Sequence, residues 1–107
     1  MNKYRIGYAL ERELREKFSK AGFTVFRCAG SKPIDLILVK DGKVVLVEVK
    51  RGASRNMPVE TLAISEATKL PAIYICRKKR KTTWRYFGEL DKEIMERIKL
   101  ILGEPIH

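Results

Sequence analysis

Apolar positions along this chain change rhythm several times, and each change marks an element. Leu10, Leu14, Phe18 and Ala21 recur at helical spacing, which predicts an amphipathic helix over 4–21 that stops at Gly22. Phe23 to Cys28 (FTVFRC) is rich in strand formers and runs into Ala29-Gly30-Ser31-Lys32-Pro33, a loop by its Gly and Pro content. Two apolar runs follow, Ile34 to Val39 and Val44 to Lys50, separated by Lys40-Asp41-Gly42-Lys43. Asp-Gly between such runs specifies a two-residue hairpin. After a loop-like Gly52 to Pro58, the pattern predicts a helix over 59–69, a short buried strand over 72–76 (AIYIC) and a strand over 82–87 (TTWRYF). A final amphipathic helix over 90–102 is ended by Gly103 and Pro105. Helix, three strands, helix, two strands and helix make a single α/β domain over residues 1–107, with a central mixed β-sheet flanked by helices.

Charge narrows the partner. The chain carries 23 Lys and Arg against 13 Asp and Glu, a net +10, with the excess concentrated in residues 51–85 and an acidic segment from residue 86 onward. A basic field this large on a small domain points to a polyanion, of which nucleic acid is the commonest in cells. A solvated face that only keeps the protein soluble is the competing reading. At 45% hydrophobic and 34% charged residues, the chain is too apolar for a disordered tail and too interrupted by charge for a membrane span. The first twenty residues are charged throughout and hold no apolar leader or cleavage site, so a cytoplasmic, intracellular location with no membrane partner is expected. Cys28 and Cys76 form no ligand-spaced pair and are expected to be core thiols. The absence of Gln beside abundant Lys, Arg and Glu leans toward heat-adapted proteins.

The hairpin permits a register argument. With Asp41 and Gly42 as the turn, Lys40 faces Lys43, Leu36 faces Val47, and Asp35 faces Glu48. Two carboxylates then lie across the ladder on one face, about 5 Å apart at Cβ. Lys50 emerges from that face two residues beyond Glu48. Both strands are apolar on both faces, so these charges arise at the edge of the core, where opposed anions are destabilising unless a cation compensates. Carboxylate oxygens so arranged suit a hard divalent ion such as Mg²⁺, and Lys50 is placed to act on a metal-bound water or on charge developing at phosphorus. The competing reading of Glu48 and Lys50 is an ordinary strand-end salt bridge, but a structural design would set Lys or Thr opposite Glu rather than Asp35. Glu11, on the first helix, is either a third acid of this group or a solvent-facing partner of Arg15, and the residues alone leave both open.

Glu11 on a helix, Asp35 on a strand and Glu48-Val49-Lys50 on the next strand together resemble the PD-(D/E)xK nuclease superfamily. More narrowly, residues 7–50, GYALERELREKFSKAGFTVFRCAGSKPIDLILVKDGKVVLVEVK, are similar to the archaeal Holliday junction resolvases of the Hjc type. The similarity lies in a Glu-Arg-Glu-Leu helix, a Gly-Phe-x-Val-x-Arg-x-Ala-Gly-Ser strand and loop, an Asp-Leu strand and a Glu-Val-Lys strand. It implies a restriction-endonuclease-like fold, metal binding by Glu11, Asp35, Glu48 and the Val49 carbonyl, and catalysis by Glu11, Asp35, Glu48 and Lys50, with Ser31 as a further catalytic candidate. The implied cofactor is Mg²⁺, with Mn²⁺ as a substitute. The implied activity is that of a homodimer resolving four-way junction DNA by paired nicks in recombination and repair, nucleoid-associated and without a small-molecule substrate. Arg12 and Arg27 are implied in junction contacts or in support of catalysis. Lys32, Arg51, Arg55 and the run Arg77, Lys78, Lys79, Arg80 and Lys81, read as a hairpin tip, are candidates for phosphate contacts.

Bland readings stand beside several of these. Arg27 is equally the polar face of an amphipathic strand, Ser31 equally turn chemistry, and the 77–81 run equally a solvated turn. Trp84 and Phe87 read as core rather than as base-stacking platforms. His107, the single histidine, is terminal, which counts against a histidine-based nuclease. Ile34 stands where the superfamily pattern has Pro, and the stretch between Lys50 and Leu70 is shorter than in the resolvases. Another nuclease of the superfamily, restriction- or repair-type, and a non-catalytic DNA-binding module on the same fold remain alternatives. Leu90, Ile94, Ile98, Ile101 and Leu102 form a stripe on the last helix that serves either as a dimer interface or as the lid of the monomer's core.

Overall fold

Two consecutive residues with positive φ, Asp41 at 51° and Gly42 at 76°, make the turn around which the sheet is organised. That backbone twist matches the twist of paired strands. It joins β2 (Leu36–Lys40) to β3 (Lys43–Arg51) with Lys40 opposite Lys43 and Leu36 opposite Val47, the register expected from the turn. The computed structural model describes residues 3–28, 30, 33–53 and 56–106, of which 3–8 are described by backbone alone. Before the hairpin come α1 (Lys3–Lys20) and β1 (Thr24–Arg27), and after it α2 (Val59–Thr68), β4 (Ala72–Lys78), β5 (Lys81–Phe87) and α3 (Lys92–Leu102). The strands lie in the order β1-β2-β3-β4-β5, antiparallel except for β3 and β4, which run parallel with α2 as their crossover. The C-terminal ends of β3 and β4 therefore sit side by side, Arg51 in register with Arg77.

The larger core lies between one face of the sheet and α1 with α3. Leu10, Leu14 and Phe18 pack there with Val45, Val47, Ile73, Ile75 and Trp84. A smaller cluster of Ile34, Leu46 and Ala72 sits on the α2 side. Trp84 is fully buried and donates its indole N–H to the Gly103 carbonyl at 2.8 Å, while the Ile106 N–H reaches the Trp84 carbonyl at 2.7 Å. Residues 103–106 thereby run as a strap along the outer edge of β5.

Several expectations are corrected. The apolar stripe on α3 completes the monomer, the second of its two readings: Ile94 and Ile98 are buried in the main core and Leu90, Ile101 and Leu102, partly buried, pack against it. The helix begins at Lys92 rather than Leu90 because Asp91 caps it, accepting from the Ile94 amide at 3.2 Å and held by Lys43 Nζ at 2.8 Å. The β4–β5 turn is only Lys79 and Arg80, with Lys79 at φ 57°; Arg77 and Lys78 belong to β4 and Lys81 to β5. Phe87 is exposed rather than core. Both cysteines are free, Cys76 buried as expected but Cys28 only half-buried. No described helix is long and apolar enough to cross a membrane.

Candidate active site

The regular β2–β3 ladder stops at Leu36 opposite Val47, one step short of the expected pairing of Asp35 with Glu48. At Asp35 the backbone turns. Its N–H donates to the Val47 carbonyl at 2.8 Å and its carbonyl accepts from the Cys28 N–H at 2.9 Å. The carboxylate is thereby brought alongside β3 rather than across from Glu48, and Oδ2 accepts the Val49 N–H at 2.8 Å. Asp35 and Glu48 are therefore not ladder partners, and what links them is the effect of the Glu48 charge on Asp35.

The electrostatics of Asp35 identify its neighbours. Burial pushes its carboxyl above the usual range, and the charges of Glu11 and Glu48 push it further, while the Val49 amide and the Lys50 ammonium pull it back. The Cys28 thiol is likewise raised, first by burial and then by Asp35 and Glu11. Glu11, Glu48 and Lys50 thus lie near enough for their charges to act on Asp35, where β2 begins and β3 nears its end.

Each acid arrives from a different element. Glu11 comes from α1, where it is one residue from the buried Leu10; its side chain is only 15% exposed, and Arg27 Nε on β1 donates to it at 2.8 Å. Glu11 is therefore not solvent-facing. Glu48 leaves β3 toward α2, and its Oε1 accepts a hydrogen bond from the hydroxyl of Thr61. Lys50, on the same side of β3 by alternation, is exposed. Among the described residues, no three His, Cys, Asp or Glu side chains close into a ready-made metal cluster. The physical reason is in the partners: one oxygen of each carboxylate is taken, by Arg27, Val49 or Thr61, which holds the like charges apart. Hard oxygen donors around a half-buried, charge-burdened Asp35 are of the kind that a hard divalent cation takes, so the chemistry of the donor set fits such an ion.

The basic candidates divide. Arg12 is 67% exposed and lies 3.6 Å from Glu16. Lys78, Lys79, Arg80 and Lys81 are exposed on the β4–β5 hairpin, whose tip projects from the end of the sheet that carries Lys50 and the exposed Arg51. Arg77 is committed elsewhere. Its guanidinium grips both carboxylate oxygens of Glu13 on α1, one contact measuring 3.0 Å, and its Nε donates to Thr82 Oγ1 at 3.0 Å. That pair holds Glu13 down to about 2. Ser31, Lys32, Arg55 and His107 lie outside the described residues.

The sequence profile of the archaeal Holliday junction resolvase (Hjc) family matches residues 2–99. The chain belongs to that family. A relative, the crossover junction endodeoxyribonuclease Hjc of Methanocaldococcus jannaschii, is 36% identical over 73 residues, which are 68% of this chain and 55% of that protein. The matched segment thus spans little more than half of that relative. The solved structure of Archaeoglobus fulgidus Hjc, a Holliday junction resolvase, superposes with a TM-score of 0.56 at 23% identity over 75% of this chain and 73% of its own, which establishes the shared fold. Within this resolvase family member, two features escape a reading of the sequence: Thr61 on Glu48 and Arg77 on Glu13. The first had one signal, a polar residue at a sheet-facing position of α2.

Proposed function

We propose that this chain is a metal-dependent endodeoxyribonuclease that resolves four-way DNA junctions as a homodimer, cutting two strands of like polarity. The observation that carries the reading is Asp35: a half-buried carboxyl burdened by two further acids, in a member of a resolvase family. Glu11, Asp35 and Glu48, with the Val49 carbonyl, would hold Mg²⁺, or Mn²⁺ in its place. When bound, such an ion polarises the scissile phosphate and lowers the pKa of a coordinated water. Lys50 sits beside the acids to orient the attacking water and balance charge developing on the phosphate oxygens. Exposed Arg51 and the 78–81 hairpin flank that end of the sheet and supply phosphate contacts.

The test is cleavage of a labelled four-way junction and of a linear duplex of the same sequence, with Mg²⁺, with Mn²⁺ and with EDTA. Metal-dependent, junction-selective nicking is expected. Binding without cutting would favour the non-catalytic module, and equal cutting of linear duplex would favour another nuclease type.

Lys50→Ala is expected to lower single-turnover cleavage by about 100-fold while weakening junction affinity by less than about 3-fold, because one cation among 23 Lys and Arg adds little to polyanion binding. Gel-shift titration in EDTA beside single-turnover kinetics separates the two; a large loss of affinity at parental rate would make Lys50 a binding residue.

Assembly follows from the reaction. One chain offers one cluster of acids, and paired nicks need two related by the junction's own two-fold symmetry. Sedimentation equilibrium at micromolar concentration is expected to return twice the 12.4 kDa chain mass. A clean monomer would contradict paired nicking.

A further inference from the structure

Glu48 points from β3 toward α2, the helix that joins β3 to β4. Its inner and outer positions at the first turn are inverted relative to an ordinary amphipathic helix: Val59 is 80% exposed, whereas Thr61 is fully buried. An apolar side chain at position 61 would satisfy the packing equally, since valine matches threonine in shape. What threonine adds is a hydroxyl, which costs free energy when buried unless it is bonded. A helical threonine ordinarily solves this locally by donating to a backbone carbonyl one turn back. Thr68, in the last turn of the same helix, does so, donating to the Ile64 carbonyl at 2.7 Å. Thr61 instead donates across the crossover to Glu48 Oε1. A hydroxyl facing an ionised carboxylate can only act as the donor, so the bond fixes which oxygen is taken and which rotamer the side chain keeps.

We propose that Thr61 is a positioning residue, whose hydroxyl holds Glu48 so that the remaining carboxylate oxygen is set for a divalent cation shared with Asp35. The inference rests on the metal-site reading above and extends it to a residue on α2. Outer partners of ligating carboxylates change metal affinity by about 10- to 100-fold when removed. Thr61 touches neither substrate nor reacting atoms. Its effect therefore belongs in the metal dependence and not in the maximal rate.

The experiment is Mn²⁺ binding to the full chain without DNA, measured by calorimetry for the parent, Thr61→Val, Thr61→Ser and Glu48→Gln. Thr61→Val is expected to raise the Mn²⁺ dissociation constant about 10-fold, with Thr61→Ser close to the parental value. In single-turnover junction cleavage, Thr61→Val is expected to need correspondingly more Mn²⁺ for half-maximal rate and to reach nearly the parental maximum. A folded Thr61→Val that binds Mn²⁺ like the parent overturns the proposal. If Thr61→Val does not fold, Thr61→Ala is read by the same criterion against Thr61→Ser. Failure of the underlying site is separately visible: a parent that binds no Mn²⁺, or a Glu48→Gln that binds as the parent does, removes the metal site and this role with it.

Discussion

Asp35→Asn is expected to lose junction cleavage by at least about 100- to 1,000-fold and yet to melt at or above the parental temperature. The loss follows from removing a charged oxygen donor where the other two acids converge. The thermal gain follows from burial and from the Glu11 and Glu48 charges, which make the ionised Asp35 side chain costly to the folded state. Asn keeps an oxygen to accept the Val49 N–H, the bond that holds the carboxylate against β3. The sign with pH is set by the upward shift. A carboxyl raised in the folded state costs stability in full above its folded pKa, and that cost fades as pH falls through the folded pKa and is gone below the ordinary aspartate value. The melting advantage of Asp35→Asn should therefore be present near neutrality and vanish in acid. Glu48→Gln is expected to behave alike in cleavage. Full activity in either variant, measured on samples whose melting is recorded, would remove these residues from the reaction.

Arg77→Ala is expected to be the most destabilising single charge change described here, by about 2 kcal/mol near neutral pH. Its side chain is 18% exposed and its guanidinium binds both oxygens of Glu13, tying α1 to β4. Glu13 itself is 38% exposed, so solvent screening keeps the figure below that of a fully buried pair. Since Glu13 is lowered from 4.5 to about 2, the pair stabilises the fold fully above the ordinary glutamate value and is lost as pH falls toward 2. Parent and Arg77→Ala unfolding free energies should thus converge in strong acid, and Glu13→Gln should show the same convergence. A gap that persists unchanged to pH 2 would mean that packing of the arginine stem, and not the ion pair, carries the effect.

What was legible in the sequence and what was not divides along the range of the interactions. Asp41-Gly42 determines its turn by local backbone chemistry, so the hairpin, its register and the approach of Asp35 to Glu48 could all be argued from adjacent residues. The turn of backbone at Asp35 could not, because it depends on simultaneous bonds to Cys28, just past β1, and to Val47 on β3. Glu11 was ambiguous for the same reason: its partner Arg27 lies 16 residues away on another element, and helix periodicity places Glu11 at the margin of the buried stripe, where either orientation is allowed. The Arg77–Glu13 pair spans 64 residues and leaves no local trace, so Arg77 read as one more member of a basic run. The α3 stripe was ambiguous in principle, because an apolar face looks the same in sequence whether it covers its own core or a neighbour's.

The strap over β5 has a consequence for how copies of this protein can stack. A sheet with two bare edges can recruit a further strand at each end, so that every added copy offers a fresh template and growth never terminates. Here the outer edge of β5 is engaged at Trp84 by the Ile106 amide, and the indole of the buried Trp84 ties down the strap at Gly103. The opposite edge, β1, is only four residues long and ends in an arginine. Edge-to-edge addition therefore meets one short strand at β1 and an edge interrupted at its middle at β5, which disfavours the open-ended growth of filaments.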